Sequence, residues 1–454
     1  MGQQTKRAQQ LAVVHPNAAG LDIGAREIYA CVPPERDQEP VRCFGTFTPD
    51  LQRLADWLVQ HEVDTVAMES TGVFWTPVFE LLEARGLSVY LVNARHIKNV
   101  PGRKSDYQDC QWIQKLHSLG LLNASFRPDG EMCQLRAYLR HRAELIQHRA
   151  PHILHIHKAL QQMNIQLPQV LKDVMGTTGM AILRAIVGGE RKALTLARLR
   201  NPACKSSEET IAKALSGDWK DEYLFILKQS LELYDFYTKQ LLACDAQIEQ
   251  QFSTMKPRWE GTPTVDPNIP IKTHSHSKNG PGLKIRAEII RLTGVDLVAV
   301  TGLNVSLVQT ILAEIGTDMS KWPTEKHFAS WLGLAPHNDI SGGKVLRSRT
   351  LPTTNRAGQA FRQAATAVAR SHSAFGAFYR RKRAQGGPQL AQVATAHKIA
   401  RTVYAMLKRH VQYLDIGAER YDQQQHEREV ANLLKKAARL GLTLAVAQPV
   451  PTSS

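Results

Sequence analysis

Residues 20–32 read GLDIGAREIYACV, and the fold follows from how that stretch is parsed. Gly20–Ile23 and Glu27–Val32 are short apolar runs separated by a tight turn, which specifies two neighbouring strands. Outward from them, Val41–Phe47 adds a third strand. Pro49–His61 has helical spacing through Leu51, Leu54, Trp57 and Leu58. Val63–Glu69 is strand-like, Val78–Arg85 helical and Leu87–Asn93 strand-like again. Hairpin strands followed by strand–helix–strand units predict a mixed sheet with helices packed on it.

Four carboxylates stand out against this frame. Asp22 lies in LDIG, Glu69 in AMES, and Asp106 with Asp109 in KSDYQDC. The last two are three residues apart at the start of a predicted helix, so they can share one face. Acids gathered from distant segments repel one another unless cations sit between them. Hard oxygen ligands suit Mg²⁺, and paired ions can clamp the attacking and leaving oxygens of a phosphate displacement. Each acid also has a simpler role open to it: Asp22 as a strand-end turn former, Glu69 as a partner of Lys104, Asp106 as a helix cap. Asp37, Asp50 and Asp64 read as ordinary surface acids.

The chain has 454 residues, 43% of them hydrophobic, enough for two or more cores. Its 57 basic and 41 acidic side chains leave a formal charge of +16, which points to a polyanionic partner, nucleic acid first. From Ser341 to His410 there are 14 Lys and Arg and no Asp or Glu, with Phe361, Phe375, Phe378 and Tyr379 interspersed. A solvated helix face would mix both signs, so this stretch reads as a phosphate-tracking surface. Six single cysteines without zinc spacing predict a reduced, cytoplasmic protein. No apolar run approaches the roughly 20 residues of a membrane span, and no signal-peptide core is evident at the start.

Residues 129–255 change character. Leu139, Ile146, Ile153, Leu160 and Leu167 recur every seven residues, with Ile156 and Met163 offset by three. Leu227, Tyr234, Leu241 and Ile248 form a second such run, offset by Leu231 and Phe252. Seven-residue spacing predicts long helices packed as a coiled coil, most simply two antiparallel arms of a self-associating stalk. An ordinary helical bundle within one protomer is the alternative. Arg142 and Arg149 interrupt the seam, and Pro151 should kink the first helix. Residues 256–284 read as a linker or loop whose His274 and His276 are incidental, as are His152, His155 and His157 on their helix. Residues 285–415 form a helical unit. In it Asn304 caps a helix that Gly316 ends, and Gly302 leaves amides free to meet a phosphate as in helix-hairpin-helix modules. Residues 416–454 are a helical tail with a disordered end.

LDIG, AMES and SDYQD, followed by a stalk and then GLNVSLVQTILAEIG, WLGLAP and ISGGK, resemble the DEDD transposases of the insertion sequence 110 family, in particular its 1111 subgroup. The similarity runs over roughly residues 11–415. It implies a RuvC-like, RNase H-fold α/β domain over residues 1–128 in which Asp22, Glu69, Asp106 and Asp109 hold Mg²⁺, with Mn²⁺ able to substitute. A long helical coiled-coil stalk and a mainly helical transposase domain would follow, the latter supplying a nucleophilic serine at Ser341. The resemblance further implies double-stranded DNA partners (element ends and target), a structured noncoding guide RNA that selects them, and a dimer-of-dimers tetramer. In that tetramer one protomer's serine completes another's acidic site. A bacterial, nucleoid-associated location would follow. The stretch TTNRAGQAFRQAA keeps Gly358 and Arg362 but lacks the asparagine relatives often carry there.

Serine needs activation to attack at neutral pH. From the residues alone, Ser341 is equally a nucleophile and a small turn residue before a basic helix. Gly342 and Gly343 permit close approach to DNA, while Lys344, Arg347, Arg349, Arg356 and Arg362 can neutralise phosphate oxygens. Lys98, Arg103 and Lys104, just ahead of Asp106, are expected to contact a nucleic-acid backbone. Three alternatives compete. One is a junction nuclease in which water attacks. Another is a sugar-kinase-type phosphotransferase, which lacks its second glycine-rich loop here. The third is a noncatalytic RNA-binding protein.

Overall fold

The structure, a computed structural model, describes residues 12–70, 72–93, 105–261, 279–280, 284–350 and 355–444. It divides into two compact units, residues 1–127 and 128–454.

The first unit is a five-stranded mixed sheet. β1 (Ala18–Ile23), β2 (Glu27–Cys31) and β3 (Val41–Gly45) form an antiparallel meander, and β4 (Thr65–Glu69) and β5 (Ser88–Val92) continue parallel to β1. The order is β3-β2-β1-β4-β5, so the strand the sequence singles out lies at the centre. α1 (Thr48–Gln60) and α2 (Trp75–Ala84) cover one face. Their Leu54, Leu58 and Leu82 are fully buried against Leu21, Ile28 and Met68, each contributing about 1.5–3 kcal/mol by loss of water contact. α3 (Asp106–Ser118) covers the other face, where Ile113 packs with Ala67 and Val92.

The second unit is mostly helical. α4 (Gly130–Gln162) is followed by α5 (Leu167–Val170), α6 (Thr177–Val187), α7 (Ala193–Ala197) and α8 (Glu208–Ala214). α9 (Asp221–Thr254) then returns along α4, and the shorter helices close a separate apolar core at the turn-round. α4 runs on through Pro151 as one helix.

The seam between α4 and α9 follows the apolar reading on α9 and at Ile156, Leu160 and Met163, all buried, and departs from it earlier along α4. On α4, Leu139, Ile146 and Ile153 are only half-buried, whereas Leu135, Arg142, Arg149 and Ile156, also seven apart, are buried. Arg142 holds Asp245 through two nitrogens, one of them 3.1 Å away, and Arg149 donates to the Thr238 hydroxyl at 3.1 Å and covers the Tyr234 ring. Each seven-residue step along α4 is thus matched by a seven-residue step back along α9. Both guanidinium groups also reach Asn279, at its carbonyl (3.0 Å) and side-chain oxygen (2.6 Å), tying the end of the 256–284 segment to the helix pair.

Beyond lie α10 (Lys284–Thr293), α11 (Val305–Ile315), α12 (Glu325–Trp331), α13 (Arg356–Ala367), α14 (Ala374–Arg409) and α15 (Gly417–Arg439). Between α12 and α13 the chain forms a β-hairpin, β6 (Pro336–Ser341) and β7 (Lys344–Thr350). The serine therefore sits on a ribbon, where the sequence suggested a turn in helical surroundings. Gly342 and Gly343 both take positive φ, as a two-residue hairpin turn requires.

Replacing Arg142 by alanine leaves Asp245 without its partner in the seam. The expected loss is about 3 kcal/mol, the low end for breaking a buried pair because Asp245 keeps some contact with water. Urea denaturation followed by circular dichroism measures it. Arg142→Leu combined with Asp245→Leu should recover most of that stability, and no recovery would show that the pair contributes more than mutual neutralisation.

Candidate active site

The acids of the first unit come together for a reason visible in the strand register. β1 and β4 pair with Leu21 beside Met68, so the next position on each strand is Asp22 and Glu69, side by side at the carboxyl ends. Alternation puts Leu21 and Met68 into the core under α1 and α2, which turns Asp22 and Glu69 to the α3 face. α3 arrives there with Asp106 and Asp109 in its first turn. Ser105, not Asp106, caps this helix, accepting the Gln108 amide at 3.4 Å. The capping role open to Asp106 is therefore filled by its neighbour, and the helix dipole favours acids in that first turn.

Gly20 makes the approach possible. A methyl group at this position would collide with the backbone of Cys110 and Gln114, so only glycine lets α3 press on β1 two residues before Asp22. Gln114 locks the contact by donating to the Ala18 carbonyl at 3.1 Å while itself buried. Sequence reasoning missed both residues. The signal was the small-residue run AAG ahead of LDIG.

The electrostatics record the convergence. The Asp22 carboxyl is raised to about 6, first by burial, then by the negative charges of Asp106, Asp109 and Glu69. A hydrogen bond from the Ile23 backbone opposes this. Among the described residues no group of three or more His, Cys, Asp or Glu side chains is already arranged to hold a metal ion. The donor set fits a hard divalent cation all the same: four carboxylates from three elements, one of them raised by burial and then by its neighbours' charges, form a repulsive cluster that a cation relieves.

In the second unit Ser341 is exposed at the end of β6, beside Gly342 and Gly343, and an added side-chain carbon at either glycine would meet open space. Lys344, Arg347 and Arg349 on β7 are exposed. Arg356 is exposed at the start of α13, which Asn355 caps by accepting the Gly358 amide at 3.0 Å. Two of the residues expected to contact nucleic acid also carry structural duties. Gly302, at positive φ, approaches α13 so closely that a methyl group would lie 2.7 Å from the Ala364 carbonyl, so the residue serves helix packing. Arg362 donates to the Gly333 carbonyl at 2.9 Å and holds the WLGLAP corner. Asn304 caps α11, accepting the Leu307 amide at 2.9 Å, and Gly316 ends it. Lys98, Arg103, Lys104, His274 and His276 lie outside the described residues.

Two family models match the chain. One for DEDD transposases of the IS110 type, described as Transposase, covers residues 19–165; the other, described as Transposase IS116/IS110/IS902 family, covers residues 297–380. The chain belongs to the IS110 family of transposases. No curated protein matches it. The transposase is an enzyme that acts on DNA, and the two matched segments contain, respectively, the four acids and Ser341. Among its described residues no helix is long and apolar enough to cross a membrane.

Two outcomes follow for the acidic cluster. Because the folded pKa of Asp22 lies above its ordinary 3.8, the metal-free folded state binds a proton that the unfolded chain has released. Stability in EDTA should therefore fall as pH rises from about 4 through about 6. Asp22→Asn should flatten that fall and raise the melting temperature at pH 7, while losing the stabilisation that added Mg²⁺ confers. An unchanged pH profile in thermal melts would contradict the assignment. Gly20→Ala should cost about 1–3 kcal/mol by overpacking and weaken Mg²⁺-dependent stabilisation, because it displaces the helix carrying Asp106 and Asp109. Melts with and without Mg²⁺ separate the two effects.

Proposed function

We propose that this transposase recombines the ends of a mobile DNA element with target DNA through a phosphoserine intermediate. The observation that carries the reading is the coincidence of a four-acid cluster around Asp22 with an exposed serine on a cationic ribbon, each inside a transposase-matched segment. The first unit, with β1 central and the acids at the strand ends, acts as a RuvC-like catalytic domain. Ser341 attacks a backbone phosphate, its hydroxyl proton leaves, and the 3′ oxygen departs as a free hydroxyl, leaving a 5′-phosphoserine ester. The ester conserves the bond energy, so reversal on a new 3′ hydroxyl rejoins strands without ATP.

Mg²⁺ or Mn²⁺ held by Asp22, Glu69, Asp106 and Asp109 would supply Lewis-acid stabilisation of charge on the departing oxygen. The carboxylates hold their positions through the β1–β4 register and the α3 contact. Lys344, Arg347, Arg349 and Arg356 would neutralise phosphates next to the attacked one. In the oligomer this reading assigns, a tetramer built through the α4–α9 stalk, the acids of one protomer work on the phosphate that another protomer's Ser341 attacks. A structured guide RNA selects both DNAs; the charge of +16 and the acid-free stretch from Ser341 to His410 support a second polyanion in the complex.

A suicide DNA substrate that loses its 3′ strand on cleavage should trap a covalent protein–DNA adduct, visible on a denaturing gel. Ser341→Ala should abolish the adduct and retain DNA binding. If Ser341→Ala still cleaves at the normal rate, water is the nucleophile and the protein works as a metal-dependent nuclease. Sequencing the RNA that copurifies tests the guide: a discrete transcript complementary to flanking DNA is expected.

A further inference from the structure

The β6–β7 ribbon contains a slip in register. Ser341 pairs with Lys344 and Ile340 with Val345, but the next pair is Asp339 with Arg347, followed by Asn338 with Ser348 and His337 with Arg349. Leu346 is left over as a one-residue bulge between Ile340 and Asp339. Directly opposed residues project on the same face, and successive residues alternate. His337, Asp339 and Ser341 therefore share one face of β6, and their partners Arg349, Arg347 and Lys344 share it with them. Strict alternation from Lys344 would have sent Arg347 and Arg349 to the opposite face with Val345. The bulge turns them to the serine.

That face has the marks of a contact surface. Every residue of the ribbon except Thr350 is exposed. On that face His337 lies 3.6 Å from Asp339; Lys344, Arg347 and Arg349 form no ion pair among the described residues, Asp339 opposite Arg347 included. Elsewhere in the acid-free stretch, Arg362, Arg380 and Lys408 are engaged by the chain's own carbonyls and Arg401 by Glu325. Same-face residues on a strand lie about 6.8 Å apart, a step comparable with that between neighbouring phosphates of one DNA strand.

We propose that the Leu346 bulge is a positioning device. It places Arg347 and Arg349 on the backbone phosphates that flank the one presented to Ser341, so that the ribbon tracks a single DNA strand with one face. This rests on the assignment of Ser341 as nucleophile only for the chemistry; the phosphate contacts stand independently and are tested by binding.

Two changes of length both abolish the bulge with opposite consequences. Inserting a threonine between Asp339 and Ile340 pairs the new residue with Leu346 and rotates Arg347 and Arg349 away from Ser341. Deleting Leu346 regularises the ladder and leaves both arginines on the serine face. Binding of duplex DNA is measured against KCl concentration in the full-length Ser341→Ala protein, which needs no chemistry. The insertion should make the slope of log K against log salt shallower by about 1.8, the loss of two phosphate contacts. The deletion should leave it unchanged. Arg347→Gln with Arg349→Gln, which leaves the register intact, should reproduce the insertion. In the Ser341-containing protein, adduct formation should fall at least tenfold with the insertion and persist with the deletion. An unchanged slope in the insertion or the double glutamine variant overturns the proposal, as does equal flattening by insertion and deletion. Absence of an adduct in the unaltered protein, with these slopes as expected, instead removes the serine chemistry.

Discussion

Contact between α3 and β1 at Gly20 is the constraint on which the catalytic assignment depends. A helix can rest on a strand this closely only where the strand offers no side chain, and the closeness carries two carboxylates into the field of two others. The energetic signature is opposed to stability. Asp22 is half-buried among like charges and partly protonated near neutrality. A protein keeps such an arrangement when something outside the chain resolves it, and a divalent cation with a phosphate is the chemistry that fits.

The second unit manages charge differently. Arg142 and Arg149 sit inside the α4–α9 seam, each satisfied by a polar group on the returning helix and by Asn279. Desolvating a guanidinium for little net gain is understandable if the pair sets register, since an apolar seam alone would tolerate a shift of one heptad. The exposed ribbon is the reverse case. Arg347 and Arg349 form no ion pair among the described residues, although Asp339 stands opposite Arg347, and both stay open to solvent.

Much was legible from the residues because it depends on local pattern. The five strands of the first unit and its helices α1 and α2 follow apolar periodicity, and the structure keeps their order. The Asn304 cap and the Gly316 stop are local hydrogen-bonding and φ requirements, and both are present. On α4 the apolar period marks burial at Ile156, Leu160 and Met163 but not at Leu139, Ile146 and Ile153, where Arg142 and Arg149 turn inward instead. Which of two seven-residue series faces inward is decided by Asp245 and Thr238, about a hundred residues away. The structural duties of Gly302 and Arg362 were equally illegible: nothing local to either residue shows the close approach to Ala364 or the hydrogen bond to Gly333.

What the chain determined by itself is its inventory: alternating strands and helices, long heptad helices, four acids in three short contexts, and a serine ahead of an acid-free basic stretch. Each is a property of neighbours in sequence, where backbone preference and side-chain period act directly. Only the tertiary structure decided that Asp22 and Glu69 stand adjacent, that Gly20 admits α3, and that Leu346 is left out of the β6–β7 ladder, so that Arg347 and Arg349 keep the face of Ser341. Those outcomes depend on register between segments, and a one-residue change of register reverses a face without altering any local propensity.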